Sequence, residues 1–122
     1  MTISIGKTFL VPSGAAKHLF FIILGPVDIE YGQKQQFISV NATTIRDSID
    51  YDGSCILNPG DHPFIKHKSY INYRYARTDT AEHLKKMLLD AHDDCSHELL
   101  RRIIEGAKKS RYIRRDLKLL FE

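Results

Sequence analysis

The apolar positions in the first three quarters of the chain follow the patterns of short strands. Leu19–Leu24 is continuously apolar and rich in phenylalanine and isoleucine, which predicts a central strand that is buried on both faces and is stopped by Gly25-Pro26. Other segments that are apolar or alternate in polarity predict further strands at residues 7–11, 36–42, 54–57, 64–65 and 70–76. In the last of these strands, Ile71, Tyr73 and Tyr75 are expected to share one face. Short strands with turn signals between them, and no intervening helix, indicate a small antiparallel barrel over residues 6–77.

From residue 78 onward the apolar spacing becomes helical. Thr78, Asp79 or Thr80 can cap a first helix, whose i, i+3, i+4 stripe comprises Leu84, Met87 and Leu88. A second helix is predicted after the polar segment 92–96, with an apolar stripe of Leu99, Leu100, Ile103, Ile104 and Ala107. Gly106 weakens this helix, and a short third helix is predicted within residues 110–121. The predicted fold is mainly β with C-terminal helices (α+β). It forms a single domain, 1–122, in which the barrel is followed by a helical part, 79–122.

The composition excludes several classes of protein. The chain has 122 residues, of which 43% are hydrophobic and 27% charged, as in a compact globular domain rather than a disordered chain. Its longest apolar run, Leu19–Leu24, is far shorter than the roughly 18 residues of a membrane-spanning helix, and residues 1–14 lack the features of a secretory signal. Two cysteines without CxxC spacing favour free thiols. We therefore expect a cytoplasmic protein without membrane contact.

The positive charge is concentrated at the C-terminal end. The net charge is +3, and residues 96–122 contain eight basic and four acidic residues. A basic tail suits a polyanion such as RNA, or an acidic partner protein. A solvated helix face explains the same residues equally well.

The standard sequence motifs of nucleotide-binding loops, dinucleotide folds, zinc proteases and α/β-hydrolases are absent. The segment 92–97 holds several residue types that ligate metals, but His92 and His97 are five positions apart and do not share a helix face. A polar connection between two helices explains this segment without a metal. No metal or other cofactor is therefore expected, and a metal-dependent enzyme built on the histidine-rich segments is a minor alternative.

The segment 60–77 mixes cationic and aromatic side chains. Cations bind phosphates and aromatic rings stack on bases, so this mixture is typical of single-stranded RNA recognition. The residues predicted to bind RNA are His62, Lys66, His67, Tyr73 and Arg74. His62 and His67 could also act as general acid or base, or could be structural histidines held by hydrogen bonds. Because His62 precedes Pro63, an extended backbone is a further explanation for it.

Three motifs together resemble the PemK/MazF-type toxin family, the small SH3-like barrels of bacterial toxin–antitoxin modules. The first is a glycine-led strand (GKTFLV, 6–11), and the second is a basic start to an apolar strand (KHLFFIILGP, 17–26). The third is a hydrophobic run that ends in a threonine pair (FISVNATT, 37–44). The resemblance covers roughly residues 6–90.

The resemblance implies a metal-independent endoribonuclease, homodimeric and neutralised by an antitoxin protein. It places the catalytic residues at Lys17 or His18 and at Thr43. In the implied chemistry the RNA 2′-hydroxyl attacks the adjacent phosphorus, while histidines such as His18 or His67 move protons and cations hold the phosphate. The alternative is a non-catalytic SH3-like module that binds RNA or a protein partner.

Overall fold

The fold is an antiparallel sheet accompanied by three helices. The structure is a computed structural model that describes residues 3–14, 16–29, 33–87, 91–92 and 94–122. Its strands are β1 (Thr8–Ser13), β2 (Ala16–Ile29), β3 (Gln33–Thr44), β4 (Ile56–Leu57), β5 (Ser69–Thr80) and β6 (Ala91–His92). Its helices are α1 (Ala81–Met87), α2 (His97–Lys109) and α3 (Arg115–Lys118), the last continuing into a 3-10 turn at Leu119–Phe121. The strands are ordered β4-β5-β3-β2-β1-β6 in one sheet.

The central strand is buried on both faces, as predicted. Residues 19–23 of β2 are all buried, and alternate side chains of a strand point to opposite faces. Leu19, Phe21 and Ile23 belong to a first core cluster, whereas Phe20 and Ile22 belong to a second. The sheet therefore separates two apolar layers, and each of them needs its own cover.

The helices provide that cover. Helix α2 contributes Leu99, Ile103 and Ala107 to the first core cluster, and helix α1 contributes Leu84 to the second. Ser96 caps α2 by accepting a hydrogen bond from the Leu99 amide at 3.1 Å. Thr80, one of the predicted caps, accepts from the His83 amide at 3.2 Å. The predicted stripe residue Leu88 lies outside the described residues.

A close contact between β5 and α2 fixes the position of that helix on the sheet. The buried Tyr73 hydroxyl donates a 2.6 Å hydrogen bond to the Ile103 carbonyl. Gly106 lies against the same hydroxyl, and a Cβ there would also come within 2.9 Å of the Cys55 Cβ and 3.1 Å of the Ser54 carbonyl oxygen. Gly106 therefore does more than weaken the helix, because it allows α2 to approach the sheet.

The strands run further than the turn signals suggested. Gly25-Pro26 does not stop β2: the strand continues through this cis peptide to Ile29, with three register shifts against β3. At Gly25 φ is +140°, and a Cβ would lie 2.9 Å from the Phe37 Cα. The prediction of a stop was wrong because irregular pairing absorbs the Gly-Pro step without ending the ladder.

Two other expectations for the strands also change. Residues 64–65 form no strand and lie instead in the connection between β4 and β5. Tyr75 does not share the buried face of Ile71 and Tyr73 and is 65% exposed. The reason is a register shift in the pairing of β5 with β3, between Ser39 and Asn41.

The observed class is mainly β with helices, an α+β fold, as predicted. Within the described residues β4 and β6 are the two edges of the sheet and no ladder joins them, so the sheet is open where a closed barrel was expected. Across the same part of the chain, no helix has the length and apolar character needed to cross a membrane.

We expect Gly106→Ala to destabilise the fold by about 1–3 kcal/mol, because overpacking against Tyr73 and Cys55 outweighs the better helix propensity of alanine. Adding Tyr73→Phe removes the hydroxyl from the crowded site, so the double variant should lose less stability than the sum of the two single changes. Urea unfolding of the parent, the two single variants and the double variant measures the free energy of unfolding for this double-mutant cycle. Gly53→Ala is the control, since a Cβ there meets nothing within 4 Å, and strict additivity would contradict the contact.

Burial raises the pKa of Tyr73 far above its ordinary value of 10. The stabilisation from keeping this phenol protonated is therefore fully present below pH 10 and is lost as the pH rises above it. The free energy of unfolding should fall there by up to about 1.4 kcal/mol per pH unit. Tyr73→Phe should show a shallower loss in alkaline urea titrations, and equal slopes would contradict this origin.

Candidate functional site

A cleft lies at the end of the sheet where β2 begins, β3 ends and β5 begins. Its volume is about 340 Å³. The pairing of Thr44 with Ser69, and of Phe20 with Asn41, brings the three strand ends together. The segment 64–67 forms another wall of the cleft. The cleft is therefore built from several chain segments that meet only in the fold.

Five of the predicted site residues line this one cleft. They are Lys17, His18, Thr43, Lys66 and His67. If the register of Phe20 with Asn41 is continued by two residues, His18 lies opposite Thr43. All three residues predicted to be catalytic are thus brought together with two of those predicted to bind RNA.

Thr43 is oriented by a neighbour on its own strand. The Asn41 side-chain amide donates a 3.1 Å hydrogen bond to the Thr43 Oγ1. Asn41 is buried, so its amide is held in place by the sheet. A threonine hydroxyl that accepts one hydrogen bond still has its own proton to donate, and a phosphate oxygen is a suitable acceptor.

The cleft is positively charged. Lys17, Arg46 and Lys66 line it together with the imidazoles of His18 and His67, and none of the described side chains on its walls is acidic. Cations facing a common cavity attract an anion such as a phosphodiester. Arg46 was missed by the sequence analysis because it follows the threonine pair in a stretch without aromatic or glycine signals.

Two residues predicted to bind RNA are buried, and those assignments are corrected. Tyr73 is 0% exposed and His62 is 2% exposed, so neither presents a ring face to a base. The His62 ring packs edge-on against Phe21 at 5.7 Å, and its Nδ1 accepts from the Phe64 amide. Tyr73 anchors α2 instead. Strand periodicity identifies the face on which Tyr73 lies but not what covers that face. The loop sequence around His62 does not show that its ring packs against Phe21.

Arg74 is exposed but lies outside the cleft. Its guanidinium lies 4.8 Å from the centre of the Tyr112 ring, in a second groove of about 420 Å³. The structure therefore assigns the predicted cationic and aromatic residues to two neighbouring surfaces rather than to one.

A third polar cluster lies at the other end of β5. The buried carboxylate of Asp79 accepts from Arg77 Nε at 2.8 Å and contacts His83 Nδ1 at 2.6 Å. Its residues line neither the cleft nor the second groove. The sequence signal for this cluster is the i, i+4 spacing of Asp79 and His83; Asp79 was considered only as a candidate helix cap.

Cysteine and metal chemistry receive no support from the described part of the chain. Burial raises the pKa of the Cys55 thiol and raises that of Cys95 to about 12, which disfavours the nucleophilic thiolate. No group of three or more His, Cys, Asp or Glu side chains is placed there to hold a metal. The metal alternative for residues 92–97 falls partly outside the described residues, since Asp93 is not among them.

The chain matched no protein-family model, no curated protein and no solved structure. The resemblance to the PemK/MazF-type toxins therefore rests on the quoted motifs alone.

We expect inorganic phosphate to bind in the cleft and to shift the imidazole NMR signals of His18 and His67. The His83 signal is the internal control, because that ring lies outside the cleft and should not shift. Arg46→Ala should weaken phosphate binding by about 2- to 5-fold, the usual range for one exposed charge. Uniform shifts of all histidines, or none, would contradict a cationic cleft.

Proposed function

We propose that this protein is a PemK/MazF-like toxin that cleaves single-stranded RNA without a metal ion, with the scissile phosphodiester bound in the cleft. One observation carries the proposal: strand ends distant in sequence bring Lys17, His18 and Thr43 into the same cavity as Lys66 and His67. A cavity rich in cations and imidazoles is suited to a phosphate that gains negative charge during reaction.

The chemistry is an internal transfer at phosphorus. The ribose 2′-oxygen forms a bond to the adjacent phosphorus, the bond from phosphorus to the 5′-oxygen breaks, and the products are a 2′,3′-cyclic phosphate and a 5′-hydroxyl. One of the two imidazoles, His18 or His67, takes the proton of the 2′-hydroxyl. The other gives a proton to the departing 5′-oxygen.

The other groups in the cleft stabilise charge rather than move protons. Lys17, Lys66 and Arg46 line the cavity, and we propose that their charges stabilise the additional negative charge of the phosphorane. Thr43, held by Asn41, donates to a phosphate oxygen. The hydrogen bond from Asn41 positions the Thr43 hydroxyl before the substrate binds, and such preorganisation is the condition for electrostatic catalysis.

The proposal extends to the rest of the toxin–antitoxin arrangement. We propose that the sheet is an SH3-like barrel whose described edge strands are not joined by a ladder. We also propose a homodimer, action in the cytoplasm, and an antitoxin whose acidic segment occupies the cationic cleft. Charge complementarity supports the last point, because an acidic peptide and an RNA phosphate would compete for the same cations.

The test is incubation of the pure protein with a long single-stranded RNA in excess EDTA, followed by mapping of the RNA ends. We expect discrete cuts bearing 2′,3′-cyclic phosphate, and no cut at a position carrying a single 2′-deoxy substitution. His18→Ala should lower the rate by about 10²- to 10⁴-fold. Thr43→Val should lower it on the order of 100-fold. Lys85→Ala, an exposed change on α1 outside the cleft, is the matched control.

Bound but intact RNA, with the protein shown to be folded, would favour the non-catalytic module over the nuclease. Cleavage that survives both His18→Ala and Thr43→Val would place the active site elsewhere. Absence of RNA binding at low salt, where phosphate contacts are strongest, would contradict both functions.

A further inference from the structure

Four tyrosines line a second groove next to the cleft, which we call the tyrosine groove. Its volume is about 420 Å³, and its walls include Tyr51, Tyr70, Tyr75 and Tyr112 with the guanidinium of Arg74. Tyr75 is 65% exposed, Tyr112 46% and Tyr51 41%. Exposed aromatic rings gathered at one place on a surface typically mark a binding site.

The groove is built by a buried polar contact between two distant segments. The Ser110 hydroxyl donates a 2.6 Å hydrogen bond to Asp52, and the same hydroxyl accepts from the Tyr112 and Ile113 amides. Asp52 also accepts from the Ser54 amide and hydroxyl. This network ties the loop that carries Tyr51 to the segment that carries Tyr112, so the rings form a preorganised surface.

The tyrosine rings of the groove are partly exposed to solvent and are not packed into the core. The centres of Tyr51 and Tyr70 are 5.3 Å apart with their planes tilted by 31°. On the other side, the Arg74 guanidinium lies over the Tyr112 ring at 4.8 Å. Aromatic rings and guanidinium planes are the surfaces on which unpaired bases stack.

The groove and the cleft adjoin across one pair of strand residues. Thr43 lines the cleft, and its ladder partner on β5, Tyr70, lines the groove. Paired residues of antiparallel strands have Cα atoms about 4.5–5.5 Å apart. The bases next to a phosphodiester bound at Thr43 would therefore lie within reach of the tyrosine rings.

We propose that the tyrosine groove stacks the bases that flank the phosphodiester bound in the cleft, which makes an unpaired RNA strand the substrate. The inference rests on the proposed function, because the cleft must hold a phosphate. Exposed aromatic rings that adjoin a cleft proposed to hold a phosphodiester favour an RNA strand as the occupant, because ring faces stack on unpaired bases. The exposed carboxylate of Asp50 on the groove wall adds an acceptor for base amino groups.

The test measures binding of a short fluorescein-labelled 2′-O-methyl RNA by anisotropy. This strand has no 2′-hydroxyl nucleophile, so its binding is measured independently of cleavage. Tyr75→Ala and Tyr112→Ala should each weaken binding by about 5- to 100-fold. Tyr75→Phe and Tyr112→Phe should bind as the parent does, because stacking requires the ring and not the hydroxyl. Leu119→Ala is an exposed control outside both surfaces.

A second strand with abasic sites separates stacking from other effects. It should bind more weakly to the parent protein, and its affinity should be insensitive to Tyr75→Ala and Tyr112→Ala. Equal losses on the normal and the abasic strand would overturn the stacking role, as would parent-like binding by both alanine variants. If neither RNA strand binds at low salt, both the stacking role of the groove and the proposed RNA function are contradicted. Base-dependent binding without cleavage of natural RNA would support the groove and contradict only the nuclease.

Discussion

The architecture of this fold depends on β2, a strand with apolar side chains on both faces. Leu19–Ile23 buries every side chain, and a fully buried large aliphatic or aromatic side chain contributes about 1.5–3 kcal/mol. Such a strand must lie inside a sheet and must be covered from two sides. Helix α2 covers one side and helix α1 covers the other. The close approach of α2 in turn depends on Gly106, which leaves room for the Tyr73 hydroxyl and its hydrogen bond to Ile103.

The candidate site lies at an end of the sheet that is lined by strand termini and loops. The described walls of the cleft contain no helical residue. Its cations lie beside Ile65, which belongs to the first core cluster. Strand pairing determines which termini meet there: the start of β2, the end of β3 and the start of β5. The Asp52–Ser110 hydrogen bond positions the walls of the tyrosine groove, because it joins the loop that carries Tyr51 to the segment after α2 that carries Tyr112. Rigid pairing therefore positions polar groups that come from distant parts of the chain.

Prediction from the sequence succeeded where a local pattern determines the structure. The continuous apolar run at 19–24, the helical stripe from Leu99 to Ala107 and the cap at Thr80 all depend on neighbours within a few residues. It was wrong for Tyr73, because alternation in a strand does not show how deeply the covered face is buried. It was wrong for His62, because the sequence of a loop does not show which core residues the loop packs against. It was also wrong at Gly25-Pro26, where irregular pairing with β3 lets the strand continue. Arg46 and Tyr112 carried no local signal, since their roles arise from residues far away in the chain.

The residue pattern by itself determined the α+β class, the central strand and the presence of cationic, imidazole and hydroxyl groups suited to a phosphodiester. Those properties follow from side-chain chemistry and from the two periodicities of backbone structure. Only the tertiary structure decided that Lys17, Thr43 and Lys66 share one cleft and that Arg74 belongs to a neighbouring tyrosine groove. Strand register and the buried Asp52–Ser110 hydrogen bond set those distances, and both are contacts between segments that a linear pattern does not relate.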